Sequence, residues 1–201
     1  SLLNGQMTAV HLPAHGLTFV HIPKNAGNSV LKWFHNHRDH LGQVMFLEYH
    51  QSLTQMACYL PIMLTFAIVR NPYARVVSGY LYARDGQSDW CKHYRAKNGL
   101  DKDFPDFATF VDRLETYKTM HWFDSATNQY EWIANGVNFL LRLETLDEDF
   151  KIIQDLLGIY TPLGKENHID QGRYQDYYTD KEIKKISKVF EHDLDFFKYS
   201  Y

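Results

Sequence analysis

Apolar positions in this chain fall into short dense runs, and the spacing within the runs changes from one stretch to the next. Leu17 to Ile22 is almost continuously apolar and predicts a buried strand that Pro23 ends. Val44 to Glu48 predicts a second short strand, followed by a loop through Tyr49, His50, Gln51 and Ser52. Met63 to Val69 is apolar nearly throughout, as a parallel strand covered on both faces requires, and Val137 to Leu141 reads the same way. Between these runs the period lengthens to that of a helix. Val30, Leu31, Trp33 and Phe34 follow Asn28 and Ser29, and Tyr73, Val76, Val77, Tyr80 and Leu81 follow a cap at Asn71 with Pro72 in the first turn.

Further helices are predicted over Phe104 to Tyr117, behind a capping box at Thr145 to Glu148 with Gly158 closing it, and behind a second box at Thr179 to Glu182. The polar stretch from Asp85 to Asp103 predicts an irregular, exposed excursion. Strands alternating with helices predict an α/β fold, a three-layer sandwich around a mostly parallel central sheet. There is no internal repeat or low-complexity linker, and 201 residues fit a single domain over residues 1–201.

Composition changes this picture little. Formal net charge is −3, so no general basic field is available for nucleic acid, and a polyanionic partner would need a local patch. Cys58 and Cys91 have no metal-ligand spacing; one disulfide stays open, although two cysteines fit a reducing compartment better. No run approaches the ~20 apolar residues of a membrane span. The start shows no signal-peptide pattern, which predicts a cytoplasmic chain, or a Golgi-lumenal one if an N-terminal anchor has been removed.

The chemistry begins where the first strand meets the first helix, at His21-Ile22-Pro23-Lys24-Asn25-Ala26-Gly27-Asn28-Ser29. A strand feeding a tight turn and a helix N-terminus presents several backbone N–H groups at one point, with the helix dipole adding positive potential, and such a point binds phosphate. Gly27 is expected to let the backbone turn, Lys24 to supply a mobile charge, and Asn25, Asn28 and Ser29 to supply neutral donors. Lys24 precedes the glycine, so the order is not that of the nucleoside-triphosphate loop. An ordinary α/β turn carrying one lysine is the plain alternative.

The order HIPKxAGxS resembles the 5′-phosphosulfate loop of the carbohydrate sulfotransferases related to the heparan sulfate 2-O-sulfotransferases. Asn25 and Asn28 stand where that family usually has threonine. A second segment, Val69-Arg70-Asn71-Pro72-Tyr73-Ala74-Arg75-Val76-Val77-Ser78-Gly79-Tyr80, is similar to the family's 3′-phosphate segment, VRNPxxRxxSxY. Arg70 ends a core strand, at the edge where α/β sheets bind ligands, and a guanidinium with a hydroxyl suits a terminal phosphate. Without the resemblance, Arg70 would as readily pair with a carboxylate, and Ser78 would be a surface hydroxyl.

The resemblance implies a P-loop-like sulfotransferase fold. It also implies 3′-phosphoadenosine-5′-phosphosulfate as donor, adenosine 3′,5′-bisphosphate as product, no metal, and a hydroxyl acceptor on a glycan. Lys24, Asn25, Ala26, Gly27, Asn28 and Ser29 would hold the 5′ end, and Arg70 and Ser78 the 3′-phosphate. Lys24 would also neutralise the leaving group. A general base is needed for the acceptor hydroxyl. His50 lies where the family places its catalytic histidine, with Glu48 as the alternative base and His21, His15 and His168 as rivals. The stretch from Val137 through Asp149-Phe150 and the Tyr-rich end extend the likeness over nearly the whole chain. By the same analogy the loop from Asn167 to Arg173 folds over the nucleotide, and Arg173 reaches a phosphate. Trp90, Trp122 and Trp132 are candidates for stacking on sugar faces. Two other classes stay open: a small-molecule kinase, which would need a Walker-type lysine and a metal-binding carboxylate, and a non-catalytic nucleotide-binding module. The acceptor and the oligomeric state are not legible.

Overall fold

The computed structural model describes residues 7–48, 50–100, 102–119, 126–134, 136–165 and 172–201. The chain packs as two compact units, Ser1–Arg70 with Gln129–His168, and Asn71–Asn128 with Ile169–Tyr201.

The first unit is built on a five-stranded sheet: β1 (Met7–Leu12), β2 (Leu17–Val20), β3 (Met45–Glu48), β4 (Leu64–Val69) and β5 (Phe139–Arg142), in the order β3-β1-β2-β4-β5. β1 pairs antiparallel with β2 and β3, whereas β2, β4 and β5 pair parallel. Only β1 therefore runs against the rest, and the predicted α/β fold with a mostly parallel sheet is what forms. The sequence reading missed β1. Its apolar run is interrupted by His11, whose buried ring bonds to the hydroxyl of Thr18 across the strand pair at 2.9 Å.

The helix Gly27–Asn36 packs Val30, Leu31, Trp33 and Phe34 into one core with Val10, Phe19, Phe66, Ile68 and Leu141 of the sheet. Phe150, at the junction of the helices Leu146–Asp149 and Lys151–Leu157, and Ile153 and Leu157 from the second of them complete that core. Burial of each large apolar side chain contributes about 1.5–3 kcal/mol, which is why these short strands hold. The predicted capping box at Thr145 does not form. Thr145 makes no side-chain cap, and Glu148 accepts from Lys151 Nζ at 2.6 Å; separately, Asp149 accepts from the Arg142 N–H at 2.7 Å, tying the helical turn to β5. Gly158 closes the following helix at φ 67°, as expected.

The second unit is helical. Asn71 caps the helix Pro72–Asp85 by accepting from the Tyr73 N–H at 3.0 Å, and Pro72 takes the first turn as predicted. The expected irregular excursion is instead partly a helix, Asp89–Lys97. Ser88 caps it, and it buries Cys91 and Tyr94, an apolar stripe too sparse to read as periodicity. The single helix predicted over Phe104–Tyr117 is two, Phe107–Asp112 and Leu114–Thr119, broken at Arg113. They pack Phe107, Phe110, Val111 and Leu114 with Val76, Val77 and Tyr80 and with Ile186 and Phe190, the last two at the helix Asp180–Val189. The capping box at Thr179 does form: the Thr179 N–H donates to Glu182 at 2.9 Å. Cys58 and Cys91 are free thiols, the first exposed and the second buried. No described helix is long and apolar enough to cross a membrane.

Candidate active site

The strand register explains how two distant segments of the first unit meet. β2 and β4 run parallel with Val20 opposite Ala67, and continuing that register past the strand ends brings Arg70 level with Pro23. Beyond β2 the backbone coils tightly, with Lys24 at φ 70° and Ala26 at φ 59°. Left-handed non-glycine residues each cost of order 1–3 kcal/mol, and such strain concentrates at functional sites. Ala26 begins the helix without a side-chain cap. Its carbonyl takes the N–H groups of Ser29 at 3.0 Å and Val30 at 3.3 Å, so those of Gly27 and Asn28 stand at the helix head. The positive φ values thus fall on Lys24 and Ala26, not on Gly27. Glycine is required at 27 for another reason: a Cβ there would lie 1.7 Å from Nε2 of His21.

Asn25 differs from the expectation that its side chain offers a donor to a ligand. It is buried, and its amide nitrogen donates to the Ile68 carbonyl at 2.8 Å and to Oε1 of Gln129 at 2.7 Å. Both N–H groups are therefore committed within the protein, and what Asn25 can offer a ligand is its backbone. Arg70, half-buried, directs Nη1 to the Lys24 carbonyl at 3.4 Å. The turns after β2 and β4 thus bring two cationic residues, Lys24 and Arg70, together at the C-terminal ends of adjacent strands, beside the N-terminus of a ten-residue helix. That donor set fits an anion.

His50 lies beside the same turn. Its Nδ1 is 3.4 Å from the His21 carbonyl, its ring meets the His21 ring edge-on at 4.8 Å, and Trp132 closes at 5.9 Å. With Nδ1–H donating to His21, Nε2 carries the lone pair of the neutral imidazole, the atom a general base needs. His21 sits just past the end of β2 and not inside it. Its ring stacks on Phe19 at 5.6 Å and fills the space above Gly27, the placement of a packing group. His15 is in the tight turn Pro13–His15 joining β1 to β2, at the opposite end of β2 from Lys24. Glu48 is exposed at the end of β3. His168, Trp122 and most of the loop from Asn167 lie outside the described residues.

A family model described as the sulfotransferase family matches residues 8–200. The chain belongs to the sulfotransferase family. No curated protein and no solved structure matches it.

The remaining motif residues of this sulfotransferase lie in the second unit. Ser78 is half-buried in the second turn of the helix Pro72–Asp85. Arg173 is exposed and precedes the short turn Tyr174–Tyr177. Arg75, the other arginine of the second motif, is fully buried and donates to the Thr127 carbonyl at 2.7 Å, a structural role. Asn71 also secures the end of the chain, donating to the Ser200 carbonyl at 2.8 Å. The sequence reading missed Gln129 altogether, because a lone glutamine in a polar stretch has no periodicity or motif to mark it. Trp132, a candidate for stacking on a sugar face, lies against the His50 ring.

Proposed function

We propose that this sulfotransferase moves a sulfuryl group from 3′-phosphoadenosine-5′-phosphosulfate to a hydroxyl of a saccharide. The observation that carries the reading is the meeting of the two turns that bear Lys24 and Arg70, with the Arg70 guanidinium 3.4 Å from the backbone carbonyl of Lys24. One ligand with two anionic ends, an adenosine carrying 5′ and 3′ phosphates, suits that pair. The saccharide class rests on the likeness of residues 17–30 to carbohydrate sulfotransferases.

The donor supplies an activated sulfate whose bridging S–O bond breaks as the acceptor O–S bond forms. Lys24 and the helix-head N–H groups face the charge that develops on the departing 5′-phosphate, and stabilisation there lowers the barrier most. Arg70 fixes the other end, which converts binding into orientation. His50 takes the acceptor proton at Nε2 while the His21 carbonyl holds its other nitrogen.

Calorimetry with adenosine 3′,5′-bisphosphate, AMP and ATP tests the assignment without knowledge of the acceptor. The bisphosphate should bind at least ~10-fold more tightly than AMP, the value of one charge-assisted contact. Equal affinity for all three would overturn it.

A further inference from the structure

Gln129 belongs to neither of the two motifs, yet its side chain is tied to both. It is fully buried, and both ends of its amide are committed. Oε1 accepts from Asn25 Nδ2 at 2.7 Å and from the Arg70 N–H at 2.9 Å, and Nε2 donates to the Arg70 carbonyl at 2.8 Å. The amide therefore pairs with the Arg70 peptide as a neighbouring strand would, at the first residue beyond β4. Through the same oxygen it grips the loop that carries Lys24.

Burying a primary amide is costly unless its polar atoms are paired, and an apolar side chain would fill this volume without that demand. What the amide adds is geometry. It locks two turns, 46 residues apart at Lys24 and Arg70, into one relative placement. We propose that Gln129 is a positioning residue for the donor nucleotide, setting the Lys24 turn and the Arg70 guanidinium at the separation one adenosine bisphosphate requires. This rests on the donor assignment above.

Gln129→Glu is the informative change. It keeps the oxygen that accepts from Asn25 and Arg70 but replaces the donor with a second acceptor facing the Arg70 carbonyl. With that carboxylate ionised, at a pH above the raised pKa of the buried carboxyl, the two acceptors repel and the Arg70 backbone moves, its guanidinium with it. Affinities for adenosine 3′,5′-bisphosphate and AMP, with the melting temperature of each ligand-free protein, are measured for the natural protein, Gln129→Glu, Arg70→Ala and the double variant. Gln129→Glu should weaken bisphosphate binding ~10–100-fold. In the Arg70→Ala background its effect should shrink by at least about fivefold, because the group it acts through is gone.

A merely structural glutamine would lower the melting temperature and add independently of Arg70. Equal effects in both backgrounds, or unchanged affinity in Gln129→Glu, would therefore overturn the proposal. If Gln129→Glu does not fold, Gln129→Met, close in volume and lacking the hydrogen bonds, is held to the same coupling. A natural protein that binds bisphosphate and AMP equally overturns the donor assignment and this proposal together. A preserved preference with uncoupled Gln129 variants overturns this proposal alone.

Discussion

The imidazole of His21 occupies the space in which a side chain on Gly27 would begin, with Nε2 only 1.7 Å from an ideal Cβ position. His21 is itself pinned by Phe19 and His50, so it cannot swing away cheaply. Gly27→Ala should destabilise by about 1–3 kcal/mol or more and lower the melting temperature by several degrees. Bisphosphate affinity should fall with it, since the displaced ring disturbs both the helix head and His50. Adding His21→Ala should restore part of the melting temperature; if it restores none, the clash is not the cause.

The neighbouring position should respond in the opposite sense. Ala26 sits at φ 59°, where a Cβ is strained and glycine is not. Ala26→Gly should leave stability unchanged or raise it by up to ~1 kcal/mol, as urea denaturation would register. A clear loss of stability would mean that the Ala26 methyl packs usefully against the core it borders.

His50→Ala should cut turnover ~10²–10⁴-fold, the usual contribution of a general base, while bisphosphate affinity stays near that of the natural protein. The split between turnover and binding is the diagnostic. Near-normal turnover would move the proton transfer to another group, with Glu48 first to be replaced.

Burial holds the pKa of His11 below its ordinary value of 6.5, so the folded protein resists protonation there more than the unfolded chain does. The unfolded state gains protons first as pH falls below about 6.5. Stability present above that pH should therefore decline from neutrality downward until the depressed folded pKa is reached. Replacing His11 with Asn should flatten this part of the urea-midpoint profile between pH 7.5 and 5. An unchanged slope would assign the decline to other histidines.

Four of the five strands and the turns at Pro23–Gly27 and Arg70–Pro72 were legible in the sequence, because their signals are local: apolar runs, a stopping Pro23, a cap at Asn71. β1 was not, since Thr8 and His11 interrupt its apolar run and its place between β2 and β3 is settled by pairing. The helix at Asp89–Lys97 hid behind a sparse stripe. The box at Thr145 had the right letters, yet Glu148 pairs with Lys151 instead.

The site divides along the same line. Strand ends and helix starts are written in adjacent residues, so the sequence marked Lys24 and Arg70 as candidates, whereas His50 was a candidate only through the family resemblance. That Gly27 answers to His21, that Asn25 faces inward, and that Gln129 joins them to Arg70 was decided only by tertiary structure. Gln129 meets partners 59 and 104 residues away, and hydrogen bonds across such separations exist only once the sheet has set its register.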